Sequence, residues 1–206
     1  MKKLVLFAAA VFYSCAGMAD EQSAEQLKYK LARLNTFQAS FQSQVIDGNK
    51  KSVGKPGEGT LVLKQPSLFR FETQSPSRTV LVGDGTTLWN YDVDMEQVNI
   101  YDARKEVSQT PFVLLTSTDK ALWAQYDVNA KGEDFVITPK SADNPVKSLQ
   151  LSFSGTGLSQ MVVHNSDGQI GTFDFVTSQV NGPVDPNDFK FTPPAGVEVD
   201  DQRKTK

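Results

Sequence analysis

The stretch Gly57–Thr73, GEGTLVLKQPSLFRFET, decides the fold. It reads as two short β-strands broken at Pro66. Strand alternation places Leu61, Leu63 and Gln65 on one face of the first strand. In the second, Phe69 and Phe71 share a face while Arg70 and Glu72 take the other. The two strands thus predict a sheet with one strongly apolar face, and the remaining chain must extend that sheet or cover it.

Downstream, Thr79–Tyr91 predicts a hairpin, because Asp84-Gly85 is a favoured two-residue turn between β-rich runs. Trp89 and Tyr91 share one face of its second strand and are assigned to the apolar face. Glu96–Tyr101 supplies a further strand after a turn at Asp92–Met95. The pattern then changes. Thr110-Pro111 is a helix start with Pro at the first helical position, and Phe112, Val113, Leu114 and Leu115 follow without a polar break. Asp119 predicts the cap of a second short helix anchored by Leu122 and Trp123. Strands resume near Tyr126 and recur at Phe135–Thr138, Lys147–Phe153, Leu158–His164 and Ile170–Thr177, separated by turn signals such as Lys131-Gly132 and Asp167-Gly168. This spacing predicts a meandering antiparallel sheet, open or closed. Phe189–Phe191 reads as a last short strand, stopped by Pro193-Pro194, with loose polar residues after it.

Upstream of the quoted stretch, Phe37–Ile46 alternates as a strand. Before it, Ser23-Ala-Glu-Gln26 has the form of a capping box, which predicts that a helix follows. Ala24, Leu27, Leu31 and Leu34 form its apolar side. The N-terminus has the form of a secretory leader: basic Lys2 and Lys3, an apolar run from Leu4 to Phe12 too short to span a bilayer, and small residues up to Ala19. Residues 1–19 are read as a cleaved signal peptide and 20–206 as one domain. The alternative is lipidation at Cys15, although Phe12-Tyr13-Ser14 fits the usual lipidation pattern poorly. Cleavage takes 19 of the 206 residues and leaves 187, without cysteine, and moves the formal charge from −3 to −5. A chain of this size can bury a core without disulfides. Its acidity argues against nucleic acid and against electrostatic membrane anchoring.

The residues do not assemble catalytic chemistry. The single histidine, His164, ends a strand. The domain has no thiol and no Gly-x-Ser-x-Gly elbow. Asp92-Val93-Asp94 lacks the continuation of a Ca²⁺ loop, and Gly83-Asp84-Gly85 lacks the third glycine and following helix of a phosphate loop. No enzyme activity, metal or cofactor is expected. What the chain offers is apolar surface: Leu61, Leu63, Phe69, Phe71, Trp89 and Tyr91 on strands, Leu27 and Leu31 on the first helix, and Phe112, Leu114 and Leu115 on a helix too short to be stable alone. A short apolar helix over an apolar sheet face has the form of a lid.

Five segments resemble the periplasmic lipoprotein carrier family LolA. They are Gly57–Phe71 with its Lys-x-Pro-x-Leu-Phe core, Gly83–Trp89, Thr110–Phe112, Phe189–Val197 and Asp200–Arg203. The resemblance implies a single antiparallel sheet curved into an unclosed half-barrel, its concave face covered by an N-terminal helix and short inserted lid helices. It also implies a monomeric periplasmic carrier. Acylated lipoproteins would come from an inner-membrane ABC transporter of the LolCDE type and pass to an outer-membrane receptor of the LolB type. In the family an arginine just before the proline ties the lid helix shut; here that position is Gln65, which can hydrogen-bond a lid carbonyl without charge assistance. Phe69 and Phe112 match family positions in cargo handling and in the lid. The alternatives are a LolB-like outer-membrane receptor and a general periplasmic binder of hydrophobic ligands.

Overall fold

A computed structural model describes residues 16–103 and 112–204. The strands are β1 (Thr36–Ile46), β2 (Gly57–Lys64), β3 (Leu68–Ser75), β4 (Thr79–Asp84), β5 (Thr87–Asp92), β6 (Gln97–Asp102), β7 (Tyr126–Lys131), β8 (Asp134–Pro139), β9 (Val146–Ser154), β10 (Gly157–Asn165), β11 (Ile170–Val180) and β12 (Glu198–Asp201). The helices are α1 (Ala16–Ala32), α2 (Phe112–Thr116) and α3 (Lys120–Trp123), with 3-10 turns at Pro186–Phe189 and Gln202–Lys204. All twelve strands form one sheet in the order β12-β6-β5-β4-β3-β2-β1-β11-β10-β9-β8-β7. Its two ends, β12 and β7, are not paired with each other, so the sheet is unclosed.

The register fixes which residues share a face. Phe37 lies opposite Leu63, Leu63 opposite Phe69, Phe69 opposite Gly83 and Gly83 opposite Leu88. One step along, Ala39, Leu61, Phe71, Leu81 and Asn90 follow in the same way. These define the inner face, which α1, α2 and α3 cover in one continuous core. Phe41 stacks on Phe71 with centroids 4.9 Å apart, and Phe173 meets both edge-on at 5.4 and 5.6 Å.

The outer face carries Val62, Arg70, Val82, Trp89 and Ile100. Trp89 and Tyr91 are therefore not on the inner face, contrary to expectation. Leu88 takes the inner position on β5, and the two aromatics, one residue out of phase, pack on Phe191 at 6.2 and 5.8 Å. The hairpin loop is Gly85-Thr86, one residue later than expected. The Asp84 carboxylate holds it by accepting the Thr86 and Thr87 backbone N–H groups, and Gly85 sits at φ +90°, a region open to glycine.

Three further expectations change. The helix α1 begins at Ala16, so Ser23 lies inside it. The Ser23 hydroxyl accepts the Ala130 N–H of β7 at 3.2 Å and ties α1 to the edge strand. The segment before Phe191 is a 3-10 turn rather than a strand, because Asp185 caps it by accepting the Asn187 N–H and Pro186 begins it. Phe189 is thereby buried. The chain then resumes pairing beyond Pro193-Pro194: β12 runs parallel to β6, Glu198 opposite Gln97 through Asp201 opposite Ile100. The sheet is mixed, antiparallel except at this edge. Residues 1–15 of the leader, Thr110 and Pro111 lie outside the described residues.

Two glycines are required by rings across the strand pair. Gly59 faces Phe41 and Gly83 faces Phe69, and a Cβ on either would fall inside the facing ring. Replacing Gly83 by valine forces Phe69 from its place on the inner face. The expected loss is ~1–3 kcal/mol of stability, read from the midpoint of a urea titration; an unchanged midpoint would show that the ring has room to move.

Candidate functional site

The inner face beneath α1 and α2 gathers most of the residues assigned from sequence. Leu27 and Leu31 come from α1, Leu61 and Leu63 from β2, Phe69 and Phe71 from β3, and Leu114 and Leu115 from α2; all are buried in one cluster. Phe112 begins α2, but its side chain lies outside the described residues. Trp89 and Tyr91 belong to the outer face, as above. Val113, Leu122 and Trp123 join the cluster from the lid side.

The lid is short. α2 has five residues and α3 four, far below the length that holds a helix in water. Local signals position both. Asp119 accepts the Ala121 N–H at 2.8 Å and caps α3. The Trp123 indole N–H donates to the Ser117 carbonyl at 2.9 Å across the bend between the helices. The remaining ties run to the turn after β2. Gln65 Nε2 donates to the Leu115 carbonyl at 3.1 Å and to the Leu31 carbonyl at 3.3 Å. One amide thus joins the last turns of α2 and α1; the Leu31 carbonyl also accepts the Leu34 N–H at 3.0 Å. The Ser67 N–H adds a bond to the Thr116 carbonyl at 2.9 Å.

A cavity of about 190 Å³ lies between the Ser67–Phe69 turn, Gly85, Ala103 and the lid residues Val113 and Leu122, below the 300–1,000 Å³ usual for a ligand pocket. Leu114 and Leu115, each 1% exposed, fill the inner face themselves. A wider groove of about 610 Å³ runs between α1, α3 and β7, and a cavity of about 320 Å³ lies beside α1 at Phe135 and Phe153. Cations edge both. Lys28 sits 5.5 Å over the Trp123 ring and pairs with Glu25, and Lys30 sits 5.1 Å over Phe153 and pairs with Glu133. Burial pushes the Tyr126 phenol, in the wider groove, above its ordinary pKa. The two carboxylates noted at Asp92 and Asp94 serve the turn: Asp92 accepts the Asp94 and Met95 N–H groups, and Asp94 pairs with Arg78.

Sequence reasoning missed Thr116, the last residue of α2. It is 1% exposed, and its hydroxyl is the one buried side-chain oxygen or nitrogen without a hydrogen-bond partner among the described residues. Leaving a hydroxyl so costs ~1–3 kcal/mol. The leucines around it gave no signal that a polar residue would be enclosed with them.

The family model described as outer membrane lipoprotein carrier protein LolA matches residues 32–192. An outer-membrane lipoprotein carrier protein of Pseudoalteromonas translucida is 39% identical over 207 residues, covering 98% of each chain. One from Pectobacterium atrosepticum is 40% identical over 183 residues, covering 88% of this chain and 89% of its own. Among solved structures, an uncharacterized conserved protein from Thermus thermophilus superposes with a TM-score of 0.53 at 14% identity, covering 88% of this chain and all of its own. That likeness concerns the fold alone.

The double donation by Gln65 yields a direct test. In a Gln65→Ala variant the Leu31 and Leu115 carbonyls lose their shared donor. Stability is expected to fall by ~1–2 kcal/mol, with faster amide hydrogen exchange in α2 than in the sheet. Equal exchange in α2 would show that the lid is held without Gln65.

Proposed function

The chain belongs to the LolA family of outer-membrane lipoprotein carrier proteins, and we propose that it carries lipoproteins across the periplasm with their acyl chains shielded on the inner sheet face. Cargo is received from an inner-membrane ABC transporter of the LolCDE type and passed to a LolB-type outer-membrane receptor. The family is one of carriers rather than enzymes. One observation carries the mechanism: the apolar inner face is already occupied by Leu114 and Leu115 of a five-residue helix that cannot stand alone.

The energetics of the task favour such an arrangement. Each CH₂ kept from water is worth ~0.8 kcal/mol, so a chain of ~15 methylenes costs roughly 12 kcal/mol to expose. A shield is needed, but a pocket complementary to the lipid alone would not release it. Where lid side chains and acyl chains compete for the same surface, the affinity for cargo is the difference between the two sets of contacts. The lid leucines leave when lipid enters and return when it departs. No described helix is long and apolar enough to cross a membrane.

Gln65 is the latch of this cycle. Arginine in its place would make the same bonds with charge assistance, strengthening the closed arrangement. The expected outcome for Gln65→Arg is slower lid opening, about tenfold for each ~1.4 kcal/mol gained, seen as slower exchange of α2 amides and slower transfer of cargo. Unchanged opening and transfer would remove the latch role. The carrier function itself is tested by adding the protein to spheroplasts that make an outer-membrane lipoprotein. A soluble one-to-one complex that delivers to receptor-bearing membranes is expected. A folded protein that releases no lipoprotein would reduce the reading to a hydrophobic-ligand binder.

A further inference from the structure

The unpartnered Thr116 hydroxyl lies beside carbonyls that each already accept a hydrogen bond. Leu114 and Leu115 precede it, and both the Leu115 and Thr116 carbonyls are taken, by Gln65 and Ser67. The hydroxyl can donate one hydrogen bond and accept others, yet among the described residues it does neither. Methylene chains offer it nothing. The oxygens that an acyl lipid brings into an apolar compartment are those that link each chain to its head: ester and amide carbonyls.

From this, resting on the carrier reading above, we infer that Thr116 is a specificity residue whose hydroxyl donates to an ester carbonyl of the cargo lipid. Its place in the fold suits the role. Thr116 ends α2 where the Ser67 N–H holds its carbonyl, and the bend that follows is fixed by the Asp119 cap and by Trp123. With this tethered end as the pivot of the lid, α2 would leave the sheet while Thr116 stays beside Ser67. The carbonyl region of a bound lipid then lies at the turn joining β2 and β3, and its chains run over the inner face past Leu63 and Phe69. Purely alkyl ligands of the same length fill the same face but leave the hydroxyl unpaired.

The test compares two synthetic cysteine lipopeptides that differ only at the linkage: one with two palmitoyl esters on the S-glyceryl group, the other its dialkyl ether. Affinities are measured for the whole protein and for Thr116→Val and Thr116→Ser. The native protein should prefer the diester about tenfold, the size expected of one well-made hydrogen bond in a dry site. Thr116→Val should lose that preference by weakening the diester alone, and Thr116→Ser should keep it. Valine should also raise the thermal midpoint of the empty protein, since it replaces an orphaned hydroxyl by a methyl group. Equal binding of the two lipids by the native protein, or a preference that survives in Thr116→Val, overturns the assignment and leaves the carrier reading standing. Binding of neither lipid by the native protein overturns both.

Discussion

An apolar sheet face that is not closed into a barrel has to be covered by something, and the rest of this structure follows from that constraint. Closure would have let the strands cover one another. Leaving β7 and β12 apart keeps the inner face reachable but exposes two edges. Each is managed locally. The Ser23 hydroxyl of α1 takes the Ala130 N–H on β7, and the short β12 runs parallel along β6, where its acidic residues Glu198, Asp200 and Asp201 discourage further pairing.

The strands β3 to β5 are covered on both sides, but by elements of different character. On the outer face Phe189 is buried and Phe191 lies against Trp89 and Tyr91. The Arg70 guanidinium holds the same segment by donating to the Asp188 carbonyl at 3.3 Å. This cover is followed by a strand of the sheet itself, so removing it would break β12 from β6. On the inner face the cover is two helices of nine residues together, held by leucines and a few hydrogen bonds. Local stability varies across a fold with the number of such contacts. The same strands therefore carry one cover continuous with the sheet and one made of two short helices packed on it.

Much of this was legible because alternation and turn chemistry are local. Leu61, Leu63, Phe69 and Phe71 shared a face on sight, Asp119 announced α3, and Gln65 fell in phase with the leucines beside it. What alternation does not carry is the relation between strands. Trp89 and Tyr91 are in phase with each other, and their size suggested the core. Only the pairing of Gly83 with Leu88 shows that the smaller leucine points inward. Phe191, their partner, is far from them in sequence. The strand beyond Pro193-Pro194 was hidden for a related reason: the prolines do stop the preceding segment, but parallel pairing with β6 is a long-range event with no hydrophobic pattern to mark it. Ser23 misled because a capping box and a helix-to-strand tie use the same hydroxyl.

The described groups that hold the lid are neutral. Gln65 donates through an amide, Ser67 through a backbone N–H, and the helix ends that accept are carbonyls. Charged pairs occur on the flank of α1, at Lys28 with Glu25 and Lys30 with Glu133, where exposure leaves them weak and open to screening by salt. The described hydrogen bonds to the lid involve no titrating group and no charge for salt to screen. On the carrier function proposed above, a lid held by packing is displaced by packing, and an acyl chain supplies it. A charged latch would raise the barrier without making the lid any better a mimic of lipid. On the carrier function proposed above, an amide latch leaves cargo, rather than charge, to decide between the closed and open arrangements.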